Sequence, residues 1–254
     1  MPILADYGCN EQAYIDQEKH KASVCPAVCA RCGGKSCLIG HGYYLRKAKD
    51  EQRSYFIWVK RWLCKICHRT GSVLPNFLFC RRHYLVRVIQ AVVVAFYECG
   101  QNWKRVAESC AQQGTPSLRT MQRWCKAFAR QAVSWLCGVQ TFLAQQDSHS
   151  SWLDPQGEAA QAANAATALL GASLHLLAWA KTQWSQLEGY GLNDRLRFLG
   201  LWGNGRGWAD WSEGSSAHTV CHSGQVSGER LRLGTSSPTR RTPKWPPNSF
   251  LRKI

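Results

Sequence analysis

Two cysteine pairs constrain this 254-residue chain more than any other feature: Cys29-Ala-Arg-Cys32 and, after 31 intervening residues, Cys64-Lys-Ile-Cys67. A Cys-x2-Cys turn sets two thiolates on one side of an ion, and Gly33 and Gly34 permit a tight backbone around the first pair. Two such knuckles on separate hairpins close a tetrahedral thiolate site, which is how structural zinc is held. The spacing predicts a zinc ribbon over residues 25–80, with Cys29, Cys32, Cys64 and Cys67 holding one structural Zn2+. Between the knuckles, Tyr43-Tyr44-Leu45, Tyr55–Val59 and Trp62-Leu63 read as strands, and Lys47–Arg53 as a polar turn. Other donors stand close by. Cys25 is an alternative to Cys29, Cys80-x2-His83 would make half of a second site, and Cys37, His41 and His68 are further candidates. His41 is better read as opening a strand. Isolated cysteines such as Cys99, Cys125 and Cys137 read as small hydrophobes.

Thirteen cysteines are too few over this length for a disulfide-stapled mini-protein. The first 24 residues carry Asp6, Glu11, Asp16 and Glu18 and no apolar run of the kind a signal peptide needs. The expectation is a cytoplasmic, nucleoid-associated protein, in which clustered thiols bind metal. Ala165–Ala180 reads as a buried helix, because alanines and His175 leave it short of a membrane span.

The formal charge of +16 is local. Residues 1–30 are net −2, residues 31–137 net +15 and residues 138–254 net +3. A field of that size in one segment favours a polyanion, and double-stranded DNA is the expected partner. The same segment has a helical pattern. Arg82–Tyr97 places Leu85, Val88, Ile89, Val92, Val93 and Phe96 at helical spacing, and a second helix is expected over Trp103–Gln113. Gly114-Thr115-Pro116-Ser117 breaks the chain and sets Ser117 as the cap of a third helix from Leu118. On that helix Leu118, Met121, Cys125 and Phe128 form the core face, and Arg119, Gln122, Arg123, Lys126 and Arg130 a polar stripe. A short helix, a turn and a second helix with an Arg/Gln stripe is a helix-turn-helix pattern, in which Arg reads guanine and Gln reads adenine.

The predicted architecture is α+β: a β-rich zinc ribbon, a helix-turn-helix domain, a further helix and a largely disordered tail. The boundaries fall at residues 1–24 for a polar lead, 25–80 for the ribbon and 81–146 for the helix-turn-helix domain. A helical extension at 147–199 and a tail at 200–254 follow. From Gly200 onward there are eight Gly, eight Ser and four Pro, a composition that argues against a further packed domain, although Trp202, Trp208, Trp211 and Trp245 offer docking groups.

Taken together, Cys29-x2-Cys32, His41-Gly42-Tyr43-Tyr44-x-Arg46, Arg61-Trp62-x-Cys64-x2-Cys67-x-Arg69-Thr70, Leu74-Pro75 and Ser117-x-Arg119-Thr120-x2-Arg123-Trp124 carry a likeness. They resemble the front end of bacterial insertion-sequence transposases and small mobile-element proteins of the same build. The resemblance spans roughly residues 25–137. It implies binding of element ends, zinc on Cys29, Cys32, Cys64 and Cys67, and a recognition helix bearing Arg119, Thr120 and Arg123. It also implies a nearby-encoded transposase or a second copy of this chain as further partners. Full transposases of this kind continue into a nuclease with three spaced carboxylates. Only 108 residues follow residue 146, and their acids, Asp147, Asp154, Glu158, Glu188, Asp194, Asp210, Glu213 and Glu229, do not end Val/Ile-rich strands. Asp154 and Glu158 fit a helix N-terminus beside Pro155. No catalytic residue is therefore assigned, and a mobile-element DNA-binding protein is the leading reading. A transcription regulator and an active nuclease are the alternatives.

Overall fold

The computed structural model describes residues 3–100, 102–109, 116–146 and 164–204, a mixed α and β fold. Asp154, Glu158 and the acids and tryptophans beyond residue 204 lie outside the described residues, as do residues 110–115, which hold the expected end of the second helix and Gly114-Thr115 of the expected turn. The strands are β1 (Ile3–Ala5), β2 (Leu38–Lys49), β3 (Ser54–Cys64) and β4 (Thr70–Pro75), in the order β1-β4-β3-β2. β2 and β3 form a long antiparallel hairpin, β4 runs antiparallel to β3, and β1 adds in parallel to β4. The helices are α1 (Glu11–Asp16), α2 (Val86–Tyr97), α3 (Trp103–Ser109), α4 (Leu118–Gln146), α5 (Ala165–Gln183) and α6 (Arg195–Asn204).

The hairpin strands are longer than the separate runs expected from sequence. Lys47–Lys49 continue β2, and the turn shrinks to residues 50–53. Asp50 makes that turn. Its carboxylate accepts the Gln52 and Arg53 N–H groups at 2.7 and 2.6 Å, an Asx-type cap, and the Tyr55 hydroxyl at 2.8 Å. Arg87 on α2 then pairs with Asp50 at 2.7 Å and with Glu11 on α1, tying the turn to both helices. Along β3 the pleat separates Tyr55, Ile57 and Val59, which are buried, from Phe56 and Trp58, which are exposed.

Helix α2 starts four residues later than its periodicity suggests. The Lys49 N–H donates to the His83 carbonyl at 2.8 Å and the Leu85 N–H to the Lys49 carbonyl at 2.9 Å, so residues 83–85 stay extended against β2. Five valines and an isoleucine make α2 a weak helix by intrinsic propensity. Burial of Val86, Val88, Ile89, Val92 and Val93 is what holds it. Helix α5 has the opposite balance. It is rich in Ala and Leu, and Asn164 caps it by accepting the Ala166 and Thr167 N–H groups, each at 3.0 Å.

One apolar cluster joins the inner sheet face to α2, α4, α5 and α6. The polar lead contributes to it, because β1 and α1 bury Leu4 and Tyr14. Helix α6 runs past Gly200 to Asn204 and buries Leu196, Phe198, Leu199 and Trp202. Its attachments are polar as well as apolar. Arg195 forks onto the Glu98 carboxylate, and Asn204 Oδ1 accepts the Leu4 N–H at 2.8 Å. Buried Gln90 on α2 donates to the Leu192 carbonyl at 2.7 Å and accepts the Leu196 N–H at 2.8 Å. Gln90→Leu keeps the volume but strands both groups, so it should cost roughly 2 kcal/mol. Urea titration measures the loss, and an unchanged midpoint would show that α6 does not need this contact.

Candidate metal centre and basic helix

The two knuckles have the same local geometry. In the first, the Gly33 N–H donates to the Cys29 carbonyl at 2.9 Å and the Cys29 N–H to the Gly34 carbonyl at 2.8 Å. In the second, the His68 N–H donates to the Cys64 carbonyl and the Cys64 N–H to the Arg69 carbonyl, each at 3.0 Å. Both turns need a left-handed residue four positions after the first cysteine, supplied by Gly33 at φ +69° and His68 at φ +52°. His68 is thus part of the turn and not a ligand. Val28 and Lys35 pair across the first knuckle, while the second links β3 to β4.

This geometry brings Cys29, Cys32, Cys64 and Cys67 together, with all four sulfurs within 4.8 Å of one another. Cys29 and Cys67 are 3.8 Å apart, and Cys32 and Cys64 3.7 Å. A tetrahedron with metal–sulfur bonds of roughly 2.3 Å has edges of about 3.8 Å. The donor set therefore fits a structural metal ion with no position left for water. Four sulfurs suit zinc or iron. Among the described residues this is the one such group, and Cys80 and His83 gather no third donor. Cys25 is exposed, and its sulfur lies 3.6 Å from the Leu38 carbonyl.

A fifth thiol touches the centre. Cys37 Sγ lies 3.3 Å from Cys64 Sγ and 3.1 Å from the Gly34 carbonyl. Sequence spacing marks Cys37 only as a nearby donor. Its placement is set by β2–β3 pairing and by the Lys65 N–H donating to the Cys37 carbonyl at 2.8 Å. Gly34 makes room for it, since a Cβ there would stand 3.0 Å from Cys37 Sγ and 3.4 Å from Cys32 Sγ. Cys37 is thus a buried thiol against the four-sulfur group, with its S–H directed at the Gly34 carbonyl.

The Cys67 N–H beside its sulfur holds the Cys64 thiol down to about 6. The N–H groups of Cys32 and Arg31 lower Cys29. Cys67 goes the other way. The Arg69 N–H draws it down, but burial and the neighbouring sulfurs outweigh that and push it up to about 11. The metal-free cluster thus carries its first charge on Cys64, and an entering cation displaces the remaining protons. Metal affinity should fall as the pH drops from about 11, because Cys67 must lose its proton to bind, and most steeply below about 6, where Cys64 is protonated as well. Chelator competition across pH checks this, and a pH-independent constant would remove thiolates as the donors.

On α4, Met121, Cys125 and Phe128 are buried as the spacing expects, but Leu118 is 44% exposed, because it lies at the helix start before α4 reaches the core. Arg119, Arg123, Lys126 and Arg130 are exposed, while Thr120 and Gln122 are half-buried. Ser117 Oγ lies 2.9 Å from Thr120 Oγ1, so that hydroxyl is engaged at the helix start. The Arg130 Nε donates to the Lys126 carbonyl at 3.4 Å. Trp124 is buried edge-on to Tyr84, with ring centroids 5.2 Å apart, which anchors the stripe-bearing end of α4 to the segment entering α2.

A family model described as a domain of unknown function, DUF6431, matches residues 29–124. The matched stretch begins at the first cysteine of the cluster and ends at Trp124, so it takes in both knuckles, α2 and the first turns of α4. Comparison with curated proteins and with solved structures returns no match. Among the described residues, no helix is long and apolar enough to cross a membrane.

Proposed function

We propose that this chain is a zinc-dependent, sequence-specific DNA-binding protein of a mobile genetic element, acting at the element's ends. The carrying observation is the exposed row Arg119, Arg123, Lys126 and Arg130, anchored from behind by Met121, Cys125 and Phe128. Arg119, Arg123 and Lys126 lie within about two turns of α4, the length that reaches base edges in a major groove. Half-buried Gln122 lies beside them. The net +15 of residues 31–137 supplies phosphate attraction. Zinc in the four-sulfur site stiffens the ribbon and performs no chemistry, because a closed site leaves nothing for substrate. A nearby-encoded transposase would supply strand cleavage, and a second copy of this chain would match paired ends.

Binding to duplex DNA should weaken steeply with salt, by close to one unit of log–log slope per neutralised phosphate. Arg123→Ala should cost roughly 1–3 kcal/mol on the element's end sequence and much less on scrambled duplex. Lys35→Ala should weaken both equally, since phosphate contacts carry no sequence. Equal losses on both duplexes for Arg123→Ala would remove it from base reading, and a flat salt titration would reject the DNA reading itself.

A further inference from the structure

The outward face of the β2–β3 hairpin is a second surface, separate from α4. Cross-strand register sets Tyr43 opposite Lys60, Leu45 opposite Trp58 and Lys47 opposite Phe56, all on the face away from the core. Four of these are large and open to solvent: Phe56 is 55% exposed, Leu45 47%, Trp58 46% and Tyr43 37%. Two carry cations on their rings or beside them. Lys60 Nζ lies 4.2 Å from the Tyr43 ring centroid, and Lys47 Nζ 5.7 Å from that of Phe56. His20 meets Tyr43 edge-on with centroids 5.3 Å apart, which steadies that ring.

A contiguous exposed group of large apolar rings is rare on a monomeric protein and marks an interaction site. Charge selects the partner here. A second copy laid face to face would set Lys47 and Lys60 against their own kind. The chain's own residues 205–254 carry eight Lys and Arg against three Asp and Glu, so they repel the same lysines. A strand of unpaired nucleotides meets both demands, with flat bases to stack on Tyr43, Phe56 and Trp58 and phosphates for Lys47 and Lys60. Duplex DNA meets only the second, because its bases are already stacked.

We propose that the outward β2–β3 face binds single-stranded nucleic acid by stacking bases on Phe56, Trp58 and Tyr43. The site lies apart from the α4 stripe, so either can fail without the other. The test uses the full chain, zinc-loaded, with fluorescently labelled 20-nucleotide oligothymidine and, separately, a random duplex. Oligothymidine should bind and quench tryptophan emission. Phe56→Ala and Trp58→Ala should each weaken it roughly five- to a hundred-fold while leaving the duplex constant unchanged. Trp58→Phe, which keeps a ring, should recover most of the loss. Both side chains are solvent-exposed, and circular dichroism confirms that the variants fold. Absent oligothymidine binding at low salt, or equal affinity in the Phe56→Ala/Trp58→Ala double variant, overturns the proposal. So does a self-associating wild type that the double variant renders monomeric, which would make the face a protein contact.

Discussion

Cys64→Ser, or removal of the metal by a chelator, is expected to melt both knuckles and leave the helical core standing. The two halves differ in what holds them. Cys29, Cys37 and Cys64 form a small cluster of their own, with only Leu38 and Cys67 against it. That is too little apolar surface to offset the ordering of the turns without an ion. Structural zinc supplies on the order of 10 kcal/mol in comparable thiolate sites. Tyr55, Ile57, Val59 and Leu74, by contrast, sit in the main cluster with the helices. The sequence suggests a ribbon that unfolds as a unit over residues 25–80, whereas the packing limits the loss to roughly residues 25–40 and 62–71. Hydrogen exchange should show protection vanishing there and persisting at Val88 and Val92. Metal analysis should return about one zinc per chain. A colourless, metal-free protein whose knuckles stay protected would discard the site, and a red iron-loaded protein would replace zinc.

Trp202→Ala should be the most damaging single change away from the metal. Trp202 is fully buried at the end of α6, with its ring 5.5 Å from that of Phe142 on α4. Truncating a buried Trp costs about 3–5 kcal/mol through lost transfer energy and the cavity left behind. At this size that amounts to roughly 10 °C in melting temperature. The change should also release β1, whose Leu4 N–H is held by Asn204 two residues further on. Calorimetry measures it, and a shift under about 2 °C would mean that α6 is only loosely applied to the core.

The last described helix was only partly legible. Glycine, serine and proline after Gly200 mark a change of composition, yet α6 runs through Gly200 to Asn204. Its polar anchors, Glu98, Gln90 and Leu4, lie about 100 to 200 residues away in sequence, so no local window contains them. The same applies to β1 and α1, whose short polar segments fold only because β4 and the core receive them.

The sequence by itself determined the two cysteine knuckles and the two faces of α4. Both depend on spacing along the chain: a knuckle closes within six residues, and a helix repeats every 3.6 residues. It also determined the alternation along β3, since a pleat has a period of two. The tertiary structure decided what each face meets. Only cross-strand register sets Lys60 over Tyr43 and gathers the rings of the hairpin into one surface. Only the approach of the two knuckles sets Cys37 against Cys64, 27 residues away. Local propensity ranges over a few residues, whereas contact between distant segments is set by which apolar surfaces must leave water together.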